Sequence, residues 1–432
     1  MQKTNYRRAA WINNTNIYEV NLRQYTAEGT INAFKKELPR LKEMGVHCLW
    51  FMPLTPISVK NRKGSMGSYY ACSDYTSIGE EFGNENDFRE FVKEAHAMGF
   101  KVIIDWVANH TGWDHVWTTN HPEFYLTDEA SGDFKTASGM DDIIELDYKN
   151  HEMRRAMIDA MEYWITVYDI DGFRADLASW VELGFWLEAR TRLEKIKTLF
   201  WLAEADPVES PGYLDAFDAA YTWKWMHKTK DFYERKIEFP ELRNILNHYN
   251  EVCGNHGIPL WFTSNHDENS WNGTEFEKYG SMMELLSVFN FTWNGMPMLY
   301  SGQELPNLKR LAFFDKDMIE WNGECRLHDF YKILLHLHTN NPALRAADAN
   351  VVTHIHTTSN DRNIFAFLRK NGNNEVLVLL NFGDEKVSFG WVAEGLFGEF
   401  VNIFTREITN FSMNREIELR PWGYLVFKKN EQ

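Results

Sequence analysis

The chain has 432 residues, of which 44% are hydrophobic and 25% charged, a composition typical of a globular protein and not of a disordered or collagen-like chain. A formal net charge of −17 disfavours a nucleic-acid partner, because the phosphate backbone is itself anionic. No apolar run approaches the ~18 residues that a membrane-spanning helix needs, so we expect no membrane partner either.

Strand-like and helix-like segments alternate along most of the chain. Apolar runs such as residues 46–52 and 101–107 are typical of strands that are buried on both faces of a parallel sheet. The segments before them carry apolar residues at helical spacing and end at Gly45 and Gly99. The strand candidates with this rhythm are 17–20, 46–52, 101–107, 172–175, 199–203, 217–221, 260–264 and 298–301. Such strands, separated by helices, predict a (β/α)₈ barrel of the α/β class.

The alternation is interrupted once and later ends. A polar stretch rich in Trp, His, Asp and Gly follows the third strand without a clear period, which predicts a short insertion at 110–145. The barrel then comprises 1–109 and 146–342. Asn/Gly turns separate the strand-like runs of the remaining chain, which are 364–368, 375–380, 398–404 and 416–427. We therefore expect residues 343–432 to form a C-terminal antiparallel β-sandwich.

Aromatic residues make up 15% of the chain, with 17 Trp, 18 Tyr and 30 Phe. A large, aromatic-rich core is one explanation of this content. The other is a set of aromatic platforms that stack on sugar rings, since an aromatic face combines apolar contact with a defined geometry. Composition alone leaves both explanations open.

Charged side chains stand at the carboxyl ends of four of the predicted strands. They are Asp105 at the end of the third strand, Arg174 and Asp176 at the end of the fourth, Glu204 after the fifth and Asp267 after the seventh. In a (β/α)₈ barrel the carboxyl ends of the strands meet at one mouth, where catalytic groups lie. A solvated loop carboxylate is the simpler interpretation of any one acid, but burying several together is costly unless chemistry or a metal needs them. The set therefore predicts a glycosidase, in which two carboxyl groups flank the bond that is cleaved.

The neighbours of each acid indicate its role. Asp176 is predicted to be the nucleophile of a retaining glycosidase, because Arg174 lies two residues earlier on the same face of the strand and would keep the carboxyl ionised. Glu204 follows an apolar run that contains tryptophan, where burial raises a carboxyl pKa towards that of a general acid. Asp267 is expected to bind sugar hydroxyls and to favour the cationic transition state.

Four segments resemble the signature regions of the α-amylase family of retaining glycoside hydrolases: 105–110 (DWVANH), 172–176 (GFRAD), the Glu204 segment and 265–267 (NHD). The resemblance extends over nearly the whole chain, with further matches at 45–53, 68–70, 145–147 and 421–424. The compact chain and the short insertion look most like a bacterial-type α-amylase. The resemblance implies an enzyme whose partner is an α-glucan or maltooligosaccharide substrate.

The resemblance also implies residues that contact this substrate. Tyr70 matches the tyrosine that stacks on the sugar at the cleaved bond. His110 and His266 match histidines that hydrogen-bond the same sugar. Asp105 matches a residue that braces the site beside Arg174.

Calcium is the one cofactor that the resemblance implies, and no organic cofactor is expected. Asn109 matches the family's usual calcium ligand, and Glu145 falls where the family often has a calcium-binding Asp, whose oxygens suit a hard cation. The sequence departs from the family at Ser179 and Trp180, where many amylases have Lys and His. Trp180 is expected to stack on the sugar of the leaving side, and the departure keeps a calcium-free protein open.

The implied function is retaining endo-hydrolysis of α-1,4-glucosidic bonds in starch, glycogen or maltooligosaccharides by double displacement. The alternatives are a glucanotransferase and an exo-acting α-glucosidase or maltodextrin hydrolase of the same family, which use the same three acids. A non-catalytic glycan-binding relative is a third alternative, but such relatives usually lack one of these acids. Nucleotide and serine-hydrolase chemistry lack support, because neither a phosphate-loop pattern nor a G-x-S-x-G motif occurs.

The four cysteines are scattered and form no C-x-x-C pair, which argues against a disulfide framework or a structural zinc site. The first residues carry charge but no apolar stretch follows them, so no secretory signal is visible. We therefore expect a cytoplasmic protein, although a secreted or periplasmic protein whose signal had been removed would look the same.

Overall fold

The computed structural model describes residues 6–254, 256–321, 325–391, 396–412 and 416–430. In chain order, its strands are β1 (Ile17–Val20), β2 (Cys48–Phe51), β3 (Lys101–Trp106), β4 (His110–Gly112), β5 (Thr136–Ala137), β6 (Met140–Glu145), β7 (Gly172–Ala175), β8 (Phe200–Ala203), β9 (Ala219–Tyr221), β10 (Ile258–Trp261), β11 (Met296–Tyr300), β12 (Val352–His356), β13 (Ile364–Asn371), β14 (Asn374–Asn381), β15 (Val387–Gly390), β16 (Glu399–Asn402), β17 (Ile408–Asn410), β18 (Glu416–Leu419) and β19 (Tyr424–Lys429). The α-helices are α1 (Leu22–Tyr25), α2 (Ile31–Phe34), α3 (Leu38–Met44), α4 (Glu85–Ala97), α5 (Val116–Asn120), α6 (His151–Tyr168), α7 (Leu183–Leu193), α8 (Trp223–Tyr233), α9 (Phe239–Cys253), α10 (Glu275–Tyr279), α11 (Met283–Thr292) and α12 (His328–Asn340).

Parallel strands close into a barrel in the order β1-β2-β3-β7-β8-β9-β10-β11, and β11 pairs back to β1. Each strand lies where the sequence predicts one, so the (β/α)₈ fold is confirmed. β10 begins and ends earlier than predicted, and the residues after it form the loop that carries Asp267. The barrel strands are buried on both faces. This explains why their sequences are continuous apolar runs and not alternating ones.

Glycine is required at the start of β7. A Cβ at Gly172 would collide with the backbone of Phe200 on the neighbouring strand β8, so only glycine allows the two strands to approach. Gly45 ends α3 in the left-handed conformation, with φ 99°, which other residues rarely adopt. Local chemistry therefore determines how β7 runs beside β8 and where the chain turns from α3 into β2.

The insertion after β3 is a small antiparallel sheet of its own, in the order β4-β6-β5. β4 pairs with β6 so that His110 lies opposite Glu145. The hydroxyl of Tyr75 donates to the carbonyl oxygens of Val107 (2.7 Å) and His110 (3.2 Å). These bonds tie the start of the insertion to the barrel.

The C-terminal region is a separate antiparallel unit. One sheet has the order β12-β13-β14-β19-β16-β17, and β15 pairs with β18 in another. Buried side chains of the two sheets form one hydrophobic cluster, as in a sandwich. The prediction of a single strand at 416–427 is wrong, because a turn at Trp422 (φ 50°) divides it into β18 and β19. β12, β15 and β17 were not predicted, because most of their residues are exposed or half-buried and show no apolar pattern.

Tryptophan serves the core more than the surface. The fully buried tryptophans include Trp50, Trp106, Trp164, Trp186, Trp201, Trp225, Trp261 and Trp293. Trp180 and Trp271 are instead 50% and 54% exposed. The other tryptophans are half-buried and pack against the core, which therefore explains most of the tryptophan content and leaves two candidates for a platform.

No helix in the described part of the chain is both long and apolar enough to cross a bilayer. Residues 1–5, on which the expectation about a secretory signal partly rests, lie outside the described residues. Parts of the predicted C-terminal domain at 392–395, 413–415 and 431–432 also lie outside them.

Candidate active site

One buried guanidinium joins three acids at the barrel mouth. Arg174 Nη1 lies 2.9 Å from Asp105 Oδ1 and 3.0 Å from Asp176 Oδ1, and Nη2 lies 3.0 Å from Glu204 Oε2. The side chain of Arg174 is fully buried, and none of the three carboxyls is more than 10% exposed. Asp267 is 37% exposed. The structure thus places the predicted acids at the same mouth.

Strand register explains this arrangement. β3 and β7 pair so that Asp105 lies directly opposite Arg174. Asp176 follows β7 on the same face as Arg174, because successive side chains alternate. The guanidinium also lies over the rings of Trp50 and Tyr221, whose centroids are 5.0 and 5.4 Å from Cζ. Contact with two aromatic faces stabilises the cation and holds it against the acids.

Backbone strain follows Asp176. Leu177 has φ 42°, in the left-handed region that a leucine rarely adopts. In this conformation its N–H donates to Glu204 Oε2 at 2.8 Å. Such strain costs on the order of 1–3 kcal/mol and is typical of functional sites. Leu177 was not predicted as a site residue, and the sequence contains no signal for it, because leucine has no preference for this conformation.

His266 lies between two carboxylates. Its Nδ1 is 2.5 Å from Glu19 Oε1 on β1, and its Nε2 is 3.3 Å from Asp267 Oδ2. Nε2 is also 2.7 Å from the Tyr70 oxygen, and the Tyr70 hydroxyl donates to Asp105 Oδ2 at 3.0 Å. Three predicted substrate contacts therefore belong to one network. Glu19 completes this network, and the sequence analysis missed it.

His110 is the remaining predicted sugar contact among the histidines. It is buried, and its Nε2 has no hydrogen-bond partner within the described residues. Burial lowers the pKa of His110 to about 4, so the ring is neutral near pH 7. A neutral ring with an unpaired nitrogen suits a hydrogen bond with a sugar hydroxyl.

Two exposed tryptophans follow the acids of the mouth. Trp180 ends a 3₁₀ turn four residues after Asp176, and Trp271 lies in a π-helical turn four residues after Asp267. Trp271 also helps to lower the pKa of Asp267 through a side-chain hydrogen bond. Trp271 was not predicted, although its place in the loop after a barrel strand matches that of Trp180.

The acids of the mouth differ in their affinity for protons. Burial raises the pKa of Asp176 and of Glu204 to about 7 and that of Asp105 to about 6, although Arg174 opposes each shift. Burial also acts on Asp267, but His266 outweighs it and holds the pKa of Asp267 below its usual value. Arg174 lowers the pKa of Asp176, in the predicted direction, but burial and the neighbouring carboxyls outweigh it. One guanidinium shared by three carboxyls does not offset their burial and mutual repulsion.

The predicted calcium ligands lie where the insertion meets the barrel. Leu146 N–H donates to the Asn109 carbonyl (3.2 Å), and the Glu145 carboxylate pairs with the Lys135 ammonium at 2.6 Å. Across the described ranges, no three or more His, Cys, Asp or Glu side chains gather around a point that could hold a metal. Calcium takes about six to eight oxygens. These donors do not fit a tightly held calcium, because a lysine already neutralises the carboxylate. Calcium binding therefore stays a prediction.

The closed (β/α)₈ barrel carries Asp176, Glu204 and Asp267 in the segments that follow its fourth, fifth and seventh strands, an arrangement that suits a glycoside hydrolase. The family described as "Alpha amylase, catalytic domain" matches residues 8–138 and 119–346, which is more than half of the chain. The protein belongs to this family, and the predicted membership is confirmed.

Similar proteins carry the names of different activities within this family. AmyB of Thermotoga neapolitana, a maltogenic alpha-amylase, is 29% identical, with a TM-score of 0.88 over 97% of this chain and 99% of its own. Alpha-amylase 2 of Dictyoglomus thermophilum is 24% identical over 93% of this chain and 72% of its own length. A cyclomaltodextrinase of Geobacillus thermopakistaniensis is 24% identical over 92% of this chain and 70% of its own length. The protein is thus an enzyme of the α-amylase family, and these names do not decide its preferred substrate.

Proposed function

We propose that this enzyme hydrolyses internal α-1,4-glucosidic bonds of starch-like glucans and maltooligosaccharides with retention at the anomeric carbon. The observation that carries the proposal is the pair Asp176 and Glu204, each 3.0 Å from one guanidinium. Two carboxyls that share one cation lie close enough together to flank a single glycosidic bond, as nucleophile and acid/base of a retaining glycosidase must.

In the first step, Asp176 attacks the anomeric carbon while Glu204 donates its proton to the glycosidic oxygen. The bond to the leaving sugar breaks, and a glycosyl ester with Asp176 forms. The raised pKa of Glu204 supports its role as the acid, because burial keeps it partly protonated near neutral pH. Asp176 and Glu204 repel each other as anions, so a proton on Glu204 favours the ionised form of Asp176.

In the second step, Glu204 takes a proton from a water molecule, which attacks the anomeric carbon and releases the Asp176 carboxylate. The Leu177 N–H and the Arg174 guanidinium stabilise Glu204 while it is an anion. Asp267 stays ionised because His266 lowers its pKa, and its charge favours the cationic transition state.

The exposed tryptophans support attack within a glucan chain. Trp180 follows β7 and Trp271 follows β10, with β8 and β9 between these strands in the barrel. The two rings therefore lie on different sides of the mouth. Sugar rings stacked on both would hold a glucan on each side of the cleaved bond, as an endo-acting enzyme requires.

An exo-acting maltodextrin hydrolase is the second candidate. It is favoured by the likeness to the maltogenic AmyB, which at 29% identity covers almost the whole chain. A glucanotransferase is a variant of either candidate, in which a sugar hydroxyl replaces water in the second step. All three use the same acids.

A nitrophenyl maltoheptaoside with a blocked non-reducing end tests the proposal. An endo-acting enzyme should cleave the blocked and the unblocked substrate at similar rates, because it binds internal sugars. Cleavage of the unblocked substrate alone would replace the endo proposal by the exo candidate. NMR during the first minutes of hydrolysis should show the α-anomer, since two displacements restore the configuration. A β-anomer would contradict the assignment of Asp176.

A further inference from the structure

Glu19 is a buried carboxyl that the proposed reaction does not use. It lies on β1 with no exposed surface, and its Oε1 is 2.5 Å from Nδ1 of His266. Its Oε2 has no hydrogen-bond partner within the described residues. Burying a carboxylate with one oxygen unpaired costs free energy. A residue that only filled space on β1 would not need this charge.

We propose that Glu19 is a positioning residue that holds His266 in its doubly protonated, cationic form, and that the imidazolium fixes the direction of the Tyr70 hydroxyl. This inference rests on the proposed function, because it assigns a role within the same active site. Glu19 lies outside all the segments that resemble signature regions of the family.

The direction of each hydrogen bond follows from the charge of His266. In an imidazolium both ring nitrogens donate, so Nδ1 donates to Glu19 and Nε2 donates to the Tyr70 oxygen. Tyr70 then donates its own hydrogen to Asp105 Oδ2, 3.0 Å away. Asp105 Oδ1 accepts from Arg174 at 2.9 Å. His266 thus donates on both sides, and Asp105 accepts from both Tyr70 and Arg174, so the place of each hydrogen between Glu19 and the guanidinium is fixed.

A neutral His266 would permit the opposite direction. Its Nε2 would then be able to accept the hydrogen of Tyr70. Asp105 would lose a donor that stabilises its anionic form and would take up a proton more readily. The ion pair between Asp105 and Arg174 would weaken. The position of the Arg174 guanidinium beside the nucleophile Asp176 would then be less well fixed.

Several charged and titratable groups face His266 from the surrounding elements. They are Glu19 on β1, Tyr70 after β2, Asp105 on β3 and Asp267 on its own loop, and Arg174 on β7 acts on Glu19. Burial lowers the pKa of His266, but the carboxylates of Asp267 and Glu19 outweigh it and raise this pKa well above its ordinary value. Burial also raises the pKa of Glu19, and His266 opposes that shift. The proton therefore resides on His266, and the pair is ionic.

Glu19→Gln tests the proposal because it removes the charge and keeps the shape. The amide oxygen can still accept from Nδ1, but one of the two carboxylates at His266 is lost. We expect the alkaline limb of kcat/KM on a nitrophenyl maltooligosaccharide to move to lower pH by about one unit, with about a tenfold loss at pH 8. The loss should shrink as the pH falls, because His266 is then protonated without Glu19.

Glu304→Gln is a matched control. Glu304 is equally buried in the loop after β11, and one of its oxygens likewise has no partner in the described part of the chain. Its other oxygen accepts from Tyr18 (2.8 Å) and Arg40 (3.0 Å), away from His266. We expect a lower Tm and an unchanged pH profile. Equal shifts in both variants, or an unmoved profile in a folded Glu19→Gln protein, would overturn the proposal.

NMR of isotope-labelled histidine separates this inference from the proposed function. The His266 signals are assigned by their loss in His266→Gln, and the ring nitrogen shifts report protonation. We expect both nitrogens to be protonated at pH 7 in the wild type and one in Glu19→Gln. A neutral His266 in the wild type would overturn the inference even if glucans are cleaved with retention. A cationic His266 that depends on Glu19 would support it even if the first product were the β-anomer.

Discussion

The barrel mouth and the seam between the barrel and the C-terminal sandwich each bury an arginine. At the mouth, Arg174 has three carboxyls within 3.0 Å. At the seam, Arg369 on β13 donates to uncharged oxygens, which belong to Thr353 (2.6 Å), Ala343 (3.2 Å), Arg345 (3.3 Å) and Asn294 (3.3 Å). Burial lowers the pKa of both, but the acids raise that of Arg174 well above its ordinary value, while that of Arg369 falls to about 9.

The two arginines differ in the charge of their partners, and this difference corresponds to two roles, one in the reaction and one in the packing of the domains. The mouth gathers carboxyls whose mutual repulsion is destabilising, and such a cluster persists where chemistry needs it. At the seam, the planar fork of Arg369 joins the segment after α12 to β12 and β13, with no carboxylate among these partners. The same residue type at similar burial therefore serves the reaction in one region and the packing of two domains in the other.

Removing the nucleophile should produce the largest effect at the mouth. Asp176→Asn keeps the size of the side chain but cannot form the glycosyl ester, so kcat should fall by at least ~10³-fold. Rates on a maltooligosaccharide, with a melting curve to show folding, check this. Asp206→Asn is the control, because Asp206 is also buried after β8 but binds Tyr249 (2.5 Å), and its kcat should stay within about threefold. A substantial residual rate in Asp176→Asn would point to another nucleophile.

Exchanging each arginine for lysine sharpens the comparison between mouth and seam. A lysine carries its three donor hydrogens on one compact nitrogen and cannot reach the carboxyls that two guanidinium nitrogens serve, so Arg174→Lys should lower kcat/KM by about 10²-fold or more. Arg369→Lys loses the fork that joins the two domains, so its Tm should fall while kcat/KM stays near the wild-type value. Kinetics and melting of both variants check this. A loss of activity in Arg369→Lys without a loss of Tm would break the distinction.

The stability of the protein should fall as the pH rises, because the mouth buries Glu204. The folded-state pKa of Glu204 is raised to about 7, so the stability that it contributes is full below its unfolded pKa of ~4.3 and is lost as the pH rises through about 7. Glu204→Gln removes this loss, and its Tm should exceed that of the wild type by a few degrees more at pH 8 than at pH 4. Thermal melts at the two pH values check this. A Tm difference that is the same at both would contradict the raised pKa.

The smallest effect is expected in the insertion, where a lysine and not an arginine neutralises the acid. Because Lys135 already pairs with Glu145, a chelator should shift the wild-type Tm by less than about 2 °C. Lys135→Met frees the carboxylate, so added calcium should raise the Tm of this variant more than that of the wild type. A large chelator-induced drop in the wild type, reversed by calcium, would instead show that Asn109 and Glu145 bind the ion as the family resemblance implies.

Patterns within short segments were enough to predict the barrel. Strands that are buried on both faces have continuous apolar sequences, and their carboxyl ends meet at one mouth, which placed Asp105, Arg174, Asp176 and Glu204 together. The C-terminal sandwich was predicted less completely. Its edge strands β12, β15 and β17 lack an apolar pattern, and the turn at Trp422 lies within a run that reads as one strand.

The amino-acid sequence by itself determined which chemical groups stand at the ends of the barrel strands. Only the tertiary structure decided which of them touch and which carry a proton. The contact between Glu19 and His266 joins β1 to the loop after β10, and no pattern at either position indicates it. The left-handed Leu177 and the raised pKa of Asp176 are likewise properties of the closed mouth. The physical reason is that strand formation depends on local periodicity, whereas burial and the sharing of one cation depend on distances that exist only after the barrel has closed.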